Sequence, residues 1–385
     1  MHIQQVSGRE IAKFIDFPYR LYQRHPVWVP PLRVDMRSQL SPRKNPFFKH
    51  ADGACFLAID HGRTVGRIAA FHNRKYNRVY GLNVGMFGYL EMVDDQAVTA
   101  ILLEAASAWL APFGATRLLG PFNPDINGSM GILLDAFDSP PMILMPYNLP
   151  YYATRLEAAG MLKEKDVLAW EMPVPEAAPE RLARHVDKVL ARGRFTVRKA
   201  IMRQFDHEVD IIREVYNAAW AENWGALPMD EAEFNHLAED LKLLVDPDLL
   251  YIAEVDGQPA GFSLTLPNIN EALARLGSGR LFPLGLPKLL WHKRRIRSLR
   301  VITMGVLKPY RRLGIDAVFY LRTLRQARAK GYLRGEMSWI LEDNTLMNHT
   351  LLKAGAKPAK RYRVYGMPLN GVTGAAAAGD GTPNG

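Results

Sequence analysis

The sequence has little of several features that define common functional classes. Its 385 residues include one cysteine, Cys55, which excludes an internal disulfide and a cysteine-based zinc site, so a reducing, cytoplasmic setting is expected. The first residues have no apolar segment typical of a secretory signal, and no uncharged apolar run reaches the roughly 18 residues of a membrane-spanning helix. The histidines lack metal-ligand spacing, and HExxH and Gly-x-Ser-x-Gly motifs are absent. The sequence therefore predicts neither a metal site nor a covalent acyl-enzyme.

Positive charge is in excess, and it is unevenly placed. The chain has 49 Lys+Arg against 39 Asp+Glu, a formal net charge of +10. Residues 275–300 contain eight basic side chains and no acidic one. Positive charge of this size suits nucleic acid, acidic substrates or anionic lipid. Because the excess is concentrated in one segment, we expect it to act locally.

The hydrophobic pattern predicts one structural unit used twice. Two apolar runs around a short turn predict a β-hairpin at 55–71 and another at 249–266, each followed by a further strand and an amphipathic helix. A segment rich in proline and alanine, 172–180, suits a linker. We therefore predict a mixed α/β fold, a central sheet flanked by helices in each repeat, with domains at 1–173 and 174–369. The tail, 370–385, lacks the apolar content to pack and is predicted to be disordered.

The segment VITMGVLKPYRRLGIDAVFY, residues 301–320, predicts a strand, a basic glycine-containing loop and a helix. Backbone N–H groups at such a helix start, with two arginines beside them, suit a pyrophosphate. The loop resembles the CoA-binding motif of the GNAT acyltransferase superfamily, except that an aspartate replaces the usual Gly or Ala. That aspartate either caps the helix or reshapes the pyrophosphate site. The resemblance implies CoA contacts from Val306, Leu307, Arg311, Arg312, Leu313, Gly314, Ile315, Asp316 and, further downstream, Asn344.

Three phrases are similar to a narrower family of tandem GNAT proteins that includes the bacterial ceramide synthases. They are KNPFFKHADGACFLA, GPFNPDINGSMGILLDAFDSPPMILMPYNLPYY and EMSWILEDNTLMNHTLLKAGAKPAKRYRVY. The similarity extends over about residues 10–368. It implies acyl-CoA as the donor and, as acceptor, the amine of a long-chain sphingoid base such as 3-ketosphinganine. In the first repeat, Asp94 and Asp95 stand where a phosphate loop is expected, so this repeat is interpreted as degenerate and as shaping the substrate site.

Two other functions stay open from the sequence. A GNAT acetyltransferase of a small amine or a protein would share the same motif. A non-catalytic acyl-CoA-binding regulator is suggested by Asp316 and by Leu351, which stands where many GNAT enzymes have a tyrosine that protonates the CoA thiolate. Nucleic-acid binding is not expected, because the basic segment has few aromatic residues for base stacking.

Acyl transfer to an amine needs a base and a substrate site. Glu342 and Asp343, at the end of the strand EMSWILED, and Glu222, in the loop AENWG, are the candidate bases. The candidate substrate-binding residues are Trp224, Tyr147, Asn148 and Tyr152. For the carboxylates the alternatives are a helix cap or a solvated loop, and for the aromatic loops purely structural packing.

The basic segment also carries apolar bulk. Residues 281–300 combine leucines, Phe282 and Trp291 with basic residues, a composition that favours contact with an anionic membrane surface. An ordinary packed helix with a solvated basic face is the alternative. We thus expect a cytoplasmic protein that contacts the inner face of the cytoplasmic membrane.

Overall fold

The computed structural model describes residues 1–369; the predicted disordered tail lies outside these residues. The strands are β1 (His2–Val6), β2 (Ala51–Asp60), β3 (Arg63–Asn73), β4 (Val84–Met92), β5 (Arg117–Gly120), β6 (Phe122–Asn123), β7 (Ser129–Met130), β8 (Ile132–Leu133), β9 (Leu162–Pro173), β10 (Thr196–Lys199), β11 (Leu250–Val255), β12 (Gln258–Pro267), β13 (Ser298–Val306), β14 (Arg334–Leu341) and β15 (Lys357–Pro368). The helices are α1 (Ile11–Leu21), α2 (Arg33–Gln39), α3 (Arg74–Tyr80), α4 (Gln96–Leu110), α5 (Tyr151–Ala158), α6 (Glu180–Leu190), α7 (Phe205–Trp220), α8 (Glu231–Lys242), α9 (Asn270–Leu273), α10 (Gly285–Lys293), α11 (Ile315–Ala329) and α12 (Thr345–Lys353).

The predicted elements of both repeats are present. The two hairpins are β2–β3 and β11–β12, and the second turns at Asp256-Gly257, where both residues have positive φ. The helix expected after the third strand of the first repeat has the predicted bounds, Gln96–Leu110. The predicted mixed α/β architecture is confirmed, and the pattern of alternating apolar runs was sufficient to find it.

One sheet runs through both repeats. Its order is β1-β2-β3-β4-β5-β15-β9-β14-β13-β12-β11-β10, with β8 paired to β15. Two pairs are parallel, β4 with β5 and β13 with β14. Strands β9 and β15 are exchanged: β9 ends the first repeat but pairs with β14, whereas β15 ends the second repeat but pairs with β5. The predicted domain boundary at 173/174 falls at the end of β9. Because β9 and β15 each pair with a strand of the other repeat, main-chain hydrogen bonds join the two repeats.

Helices cover both faces of the sheet in the second repeat. Neighbouring residues of a strand face opposite sides, and Tyr251 belongs to a cluster with α6 and α11, whereas Ile252 belongs to a cluster with α7 and α8. The loop that resembles a CoA site therefore precedes a helix on one face. The other face carries the two helices α7 and α8.

Among the described residues, one helix is long and apolar enough to cross a membrane by length and composition, α4 with the turn that follows it to Phe113. Leu102, Ala106 and Leu110 of this helix are fully buried in the core of the first repeat. A core helix passes the same test, so this finding is weak evidence for a membrane span.

Candidate functional site

Two parallel strands separate in the second repeat and leave a cleft. β13 and β14 are paired from Ser298↔Arg334 to Val301↔Met337. Beyond this point β13 stays paired with β12 as far as Val306, and β14 stays paired with β9 as far as Leu341. Their facing edges therefore have no partner strand within the described residues. Unpaired backbone groups of this kind can bind an extended ligand or the oxygen of a carbonyl.

A β-bulge in β13 lies at the start of this cleft. Thr303 pairs with Leu264 and Val301 pairs with Thr265, so Ile302 is the additional residue. A bulge increases the local twist and bends the strand. The bulge thus lies where β13 diverges from β14.

The loop after β13 has the features predicted for a pyrophosphate site. Gly314, with φ +82°, immediately precedes α11, and a Cβ there would lie 3.1 Å from the Cγ2 of Val189. Arg311 donates from Nε to the carbonyl of Val306 (3.2 Å), which closes the loop onto the end of β13. Arg312 is exposed. This arrangement leaves the start of α11 and one arginine side chain available to an anion.

Asp316 lies in the first turn of α11, but this helix has no side-chain cap, and its N-cap residue is Gly314. The capping role considered for Asp316 is therefore wrong, because the residue lies two positions past the cap. An exposed carboxylate in the first turn still opposes the binding of a phosphate. Asn344 does cap a helix: its side chain accepts from the N–H of Met347 (3.2 Å) at the start of α12.

The first repeat differs at the equivalent strand-to-helix junction. Asp95 caps α4 and accepts from the N–H of Ala97 (2.8 Å), while Asp94 binds the Nε of Arg155 (2.8 Å). A carboxylate thus occupies the helix start that an anion would need. This geometry supports the interpretation of a degenerate repeat.

An apolar cavity of about 270 Å³ opens onto the cleft. Its longest wall is a stripe on one face of α7. At the helical rise of about 1.5 Å per residue this stripe extends over roughly 22 Å, more than the roughly 15 Å of hydrocarbon depth in one bilayer leaflet. The rest of the wall comes mainly from α8, the strands β11 to β14, the loop 221–228 and residues of the first repeat. The stripe consists of Phe205, Val209, Ile212, Tyr216 and Trp220.

One end of the stripe lies against β13. A Cβ at Gly305 would lie 2.3 Å from Cζ3 of Trp220, so glycine is required for this indole to lie on the strand. At the other end, the Nζ of Lys242 lies 4.3 Å from the ring centroid of Phe205. The cavity therefore leads from the cleft along the whole of α7.

The cavity has few polar groups, and most of these are satisfied by the protein. Tyr216 donates to the side-chain oxygen of Asn127 (3.0 Å), and burial raises the pKa of Tyr216 to about 12. The Asn217 side chain donates a hydrogen bond to the Met229 carbonyl and accepts one from the Met229 N–H. The lining residues include no Asp, Glu, His, Cys or Lys. The described cavity is thus suited to a hydrocarbon chain.

Arg300 is a buried cation at the closed end of the cleft. Its guanidinium donates to the Ser338 carbonyl (3.0 Å), the Ser338 hydroxyl (2.9 Å) and the Ile143 carbonyl (2.8 Å). Glu336, also buried, accepts from the Ser338 hydroxyl (2.7 Å). Burial lowers the pKa of Arg300 to about 10, and the attraction of Glu336 opposes this shift. Arg300 thus fixes β13, β14 and a loop of the first repeat in one arrangement.

The predicted bases lie at the surface in ion pairs. Glu222 lies 3.0 Å from the Nζ of Lys308, just past the end of β13, and this lysine lowers the pKa of Glu222. Glu342 pairs with Lys163 (2.5 Å). Asp343 pairs with Lys165 (2.7 Å), which lowers its pKa. Glu222 thus lies near Lys308 and Arg311, no described contact joins it to Glu342 or Asp343, and all three remain predictions.

Only one of the predicted substrate residues lines the cavity, Trp224. Asn148 accepts from the N–H of Leu133 (2.7 Å), Tyr147 donates to the Phe137 carbonyl (2.9 Å), and Tyr152 donates to Glu91 (2.8 Å). These three side chains are buried in the first repeat, where they hold loops and strands in place. Their binding roles therefore remain predictions without a contact to support them.

The basic apolar segment, which we define as residues 281–295, is exposed. No residue of α10 is buried, and Arg295 stacks on Trp291 with its guanidinium carbon 3.6 Å from the ring centroid. Lys293 donates to the carbonyl of Leu243 (2.6 Å), beside the end of α8, and the Leu243 side chain is itself 81% exposed. Arg300 is fully buried, so the surface ends before the predicted limit at residue 300. The exposed large apolar residues of the segment are Phe282, Leu284, Leu286, Leu290 and Trp291.

No family profile matches the chain. A tandem GNAT protein from the clavulanic acid biosynthesis pathway, solved without acetyl-CoA, has the same fold at a TM-score of 0.57 and 13% identity, covering 96% of this chain and 98% of that one. A GCN5-related N-acetyltransferase from Anabaena variabilis matches at a TM-score of 0.51 and 12% identity, over 96% of this chain and 73% of that one. Together with the cleft and the glycine loop, these similarities define a tandem GNAT protein.

Two sequence relatives identify the family. Protein YghO of Escherichia coli is 41% identical over 367 residues, 94% of this chain and 93% of the relative. The bacterial ceramide synthase of Caulobacter vibrioides is 39% identical over 363 residues, 92% of this chain and 94% of the relative. The chain belongs to the bacterial ceramide synthase family of tandem GNAT acyltransferases. The resemblance found in the sequence is thereby confirmed.

Proposed function

We propose that this protein transfers a long acyl chain from acyl-CoA to the amine of a sphingoid base such as 3-ketosphinganine. The observation that carries the proposal is the apolar cavity of about 270 Å³ that opens onto the cleft between β13 and β14. A soluble amine would not need a cavity wall roughly 22 Å long. The family relationship supports the same substrate class, because one relative is a ceramide synthase.

The substrates approach from opposite faces of the sheet. The CoA pyrophosphate binds at the start of α11, with Arg312 and the N–H groups of Gly314, Ile315 and Asp316 around it. The thioester enters the cleft, and the acceptor binds on the other face with its chain along α7. The acceptor nitrogen attacks the thioester carbonyl, a C–N bond forms, the C–S bond breaks, and CoA leaves as the thiolate.

The apolar lining favours the neutral amine that attack requires. Transfer of an ammonium group from water to a low-dielectric site lowers its pKa, and the nearby positive charge of Arg300 acts in the same direction. The ammonium proton leaves to water at the mouth of the cleft, where Glu222 is the nearest of the predicted acceptors. Unpaired N–H groups at the edge of β13 stabilise the oxyanion that develops on the carbonyl.

We propose no dedicated acid for the departing thiolate. Leu351, at the position where the family motif has a tyrosine, is 1% exposed and packs in a core with Trp170 and Met337. A thiol of ordinary pKa, about 8.5, takes its proton from water at neutral pH. Catalysis is therefore assigned to positioning, desolvation and carbonyl polarisation.

The test is release of free CoA from a panel of donors and acceptors. We expect turnover with long-chain acyl-CoA and 3-ketosphinganine or sphinganine, and the product is identified by mass spectrometry as the amide. Release of CoA from acetyl-CoA with a polyamine or a lysine peptide, but not with the lipid pair, would contradict the proposal. Tight binding of acyl-CoA without turnover by any amine would indicate a regulator.

We also propose that the basic apolar segment, residues 281–295, contacts the inner face of the cytoplasmic membrane. Exposed bulky side chains beside cations suit the interface of an anionic bilayer, at about 1 kcal/mol for each basic residue near the surface. The contact of Lys293 with Leu243 places this segment beside the end of α8, whose Leu241 lines the cavity. A lipid amine in the membrane would thus meet the protein near its cavity.

Vesicles that contain phosphatidylglycerol test this contact. We expect Arg294→Ala with Arg295→Ala to weaken binding at least tenfold, and Trp291→Ala to weaken it without a change in charge. Arg192→Ala with Arg194→Ala is the matched control, because both residues are exposed on the loop after α6. Equal binding of all variants would contradict a membrane role for the segment.

A further inference from the structure

Two half-buried side chains in the cavity wall each have a buried polar atom without a partner in the described protein. They are the hydroxyl of Thr303 and the indole N–H of Trp339, and within residues 1–369 neither Thr303 Oγ1 nor Trp339 Nε1 makes a hydrogen bond. Both residues line the cavity. A buried donor without a partner costs about 1–3 kcal/mol. Such atoms are uncommon in native proteins, and each requires an explanation.

The two residues lie opposite each other across the cleft. Val301 and Met337 form the last parallel pair, and Thr303 and Trp339 are each two residues further along their strands. Each strand has one irregularity just beyond the shared pair, at Ile302 in β13 and between Met337 and Ile340 in β14. The two offsets therefore stay matched, on strands that begin about 4.8 Å apart and then separate. They therefore form an unsatisfied polar pair at the mouth of a cavity whose lining is mostly apolar.

The polar groups of Arg300, which lies beside this pair, already have partners in the protein. All three nitrogens of the Arg300 guanidinium have protein acceptors, and its carbon lies 5.2 Å from the centroid of the Trp339 ring. The ring of Tyr362 supports the same indole from the edge, at 6.5 Å between centroids. Trp339 is thus held in place by its packing, and its N–H has no acceptor within residues 1–369.

We infer that Thr303 and Trp339 bind the oxygen that neighbours the amine of the acceptor lipid, on its third carbon. This inference rests on the proposed function. An indole N–H only donates, so it requires an acceptor such as a ketone or hydroxyl oxygen. The threonine hydroxyl can donate to the same oxygen or accept from a hydroxyl. With the hydrocarbon chain along α7, a polar group at the cavity mouth lies next to the reacting nitrogen.

The consequence is selection between long-chain amines. A site built to hydrogen-bond a substrate oxygen rejects an analogue that lacks it, because the buried donors then stay unpaired. The wild-type protein should bind sphinganine about 10-fold to 100-fold more tightly than 2-aminooctadecan-1-ol, which lacks only the oxygen on the third carbon. The same pair should accept 3-ketosphinganine, whose ketone is an acceptor.

The experiment measures equilibrium binding of these two amines by calorimetry, which does not depend on turnover. Thr303→Val and Trp339→Phe should each reduce the ratio of the two affinities at least fivefold and leave the affinity for 2-aminooctadecan-1-ol within about threefold. Thr303→Ser keeps the hydroxyl and should keep the ratio. The matched control is Thr265→Val, since Thr265 on β12 is also buried and unpartnered but does not line the cavity.

The inference would be overturned if Thr303→Val and Trp339→Phe kept the affinity ratio of the wild type. A wild-type protein that binds neither amine, or an equal loss of affinity for both amines in these variants, would also overturn it. If the ratio behaves as expected but no acyl-CoA is consumed with any amine, the polar pair stands and the proposed reaction fails. The affinity ratio thus tests the polar pair, and consumption of acyl-CoA tests the proposed reaction.

Discussion

Replacing Val209 by phenylalanine should shorten the cavity and change which chain lengths the protein accepts. Val209 is 6% exposed and lies four residues from Phe205, at the end of the α7 stripe remote from β13. A helix rises about 1.5 Å per residue. The larger ring therefore closes the last roughly 6 Å of the wall and leaves roughly 16 Å between Val209 and Trp220.

The size of the effect follows from the hydrocarbon that is excluded. If about four methylene groups lose their site at about 0.8 kcal/mol each, the loss is about 3 kcal/mol. At 1.36 kcal/mol per factor of ten, kcat/KM for an 18-carbon sphingoid base should fall about 200-fold. A base shorter by about four carbons should be affected less than about threefold, because its chain ends before the blocked region. Val209→Ala should act in the opposite direction and favour longer bases.

The assay is CoA release with one acyl-CoA and a series of bases, and then with one base and a series of acyl-CoA donors. Overpacking costs about 1–3 kcal/mol of stability, so the thermal midpoint of each variant is measured as a control. A loss that is equal for all base lengths would refute the reasoning. A length dependence confined to the acyl-CoA series would show that the cavity holds the acyl chain instead.

Three further predictions concern single charges. Arg312→Glu should raise the dissociation constant for CoA at least tenfold by calorimetry, because it places a carboxylate beside the pyrophosphate, and unchanged affinity would place the phosphate site elsewhere. Glu222→Gln should lower kcat/KM less than tenfold, since Lys308 holds the pKa of Glu222 low and makes it a weak base; a larger loss would identify it as the essential base. Glu233, bonded to His50 (2.5 Å) and to Lys75, has its pKa lowered to about 2 despite opposing burial. Its ionised form therefore stabilises the fold fully above about pH 4.5, by about 3 kcal/mol, and this contribution is lost as the pH falls through about 2. In urea unfolding, Glu233→Gln should flatten that pH dependence, and an unchanged pH profile would be contrary to this assignment.

Local patterns in the sequence were enough to predict the repeated unit. The turn at Asp256-Gly257 and the helix Gln96–Leu110 follow from turn chemistry and apolar periodicity, which act over a few residues. The exchange of β9 and β15 was not predictable in this way. Both strands are long enough to pair with either repeat, and their alternation does not identify the neighbour. The choice is made by contacts between residues far apart in the chain.

For the candidate site, too, the sequence is informative where residues are contiguous and uninformative where they meet only in the fold. The basic glycine loop is contiguous in sequence, and so Arg311 and Gly314 could be matched to the GNAT motif; their contacts with CoA stay predictions. The stripe on α7 has the periodicity of any packed helix, so the sequence gives no sign that it faces a cavity. Thr303 and Trp339 come together only through the register of β13 and β14. Trp224 lines the cavity and stays a predicted substrate residue, whereas Tyr152 makes a buried hydrogen bond, which its residue type suits equally well.

The most direct test of the central claim is the location of the acceptor chain. A sphinganine analogue with a diazirine at the end of its chain is bound, irradiated and mapped by peptide mass spectrometry. We expect labels on α7 near Phe205 and Val209, and their loss in the Val209→Phe variant. Labels confined to the groove of the first repeat around Ile11 and Cys55, or spread over the surface, would contradict it.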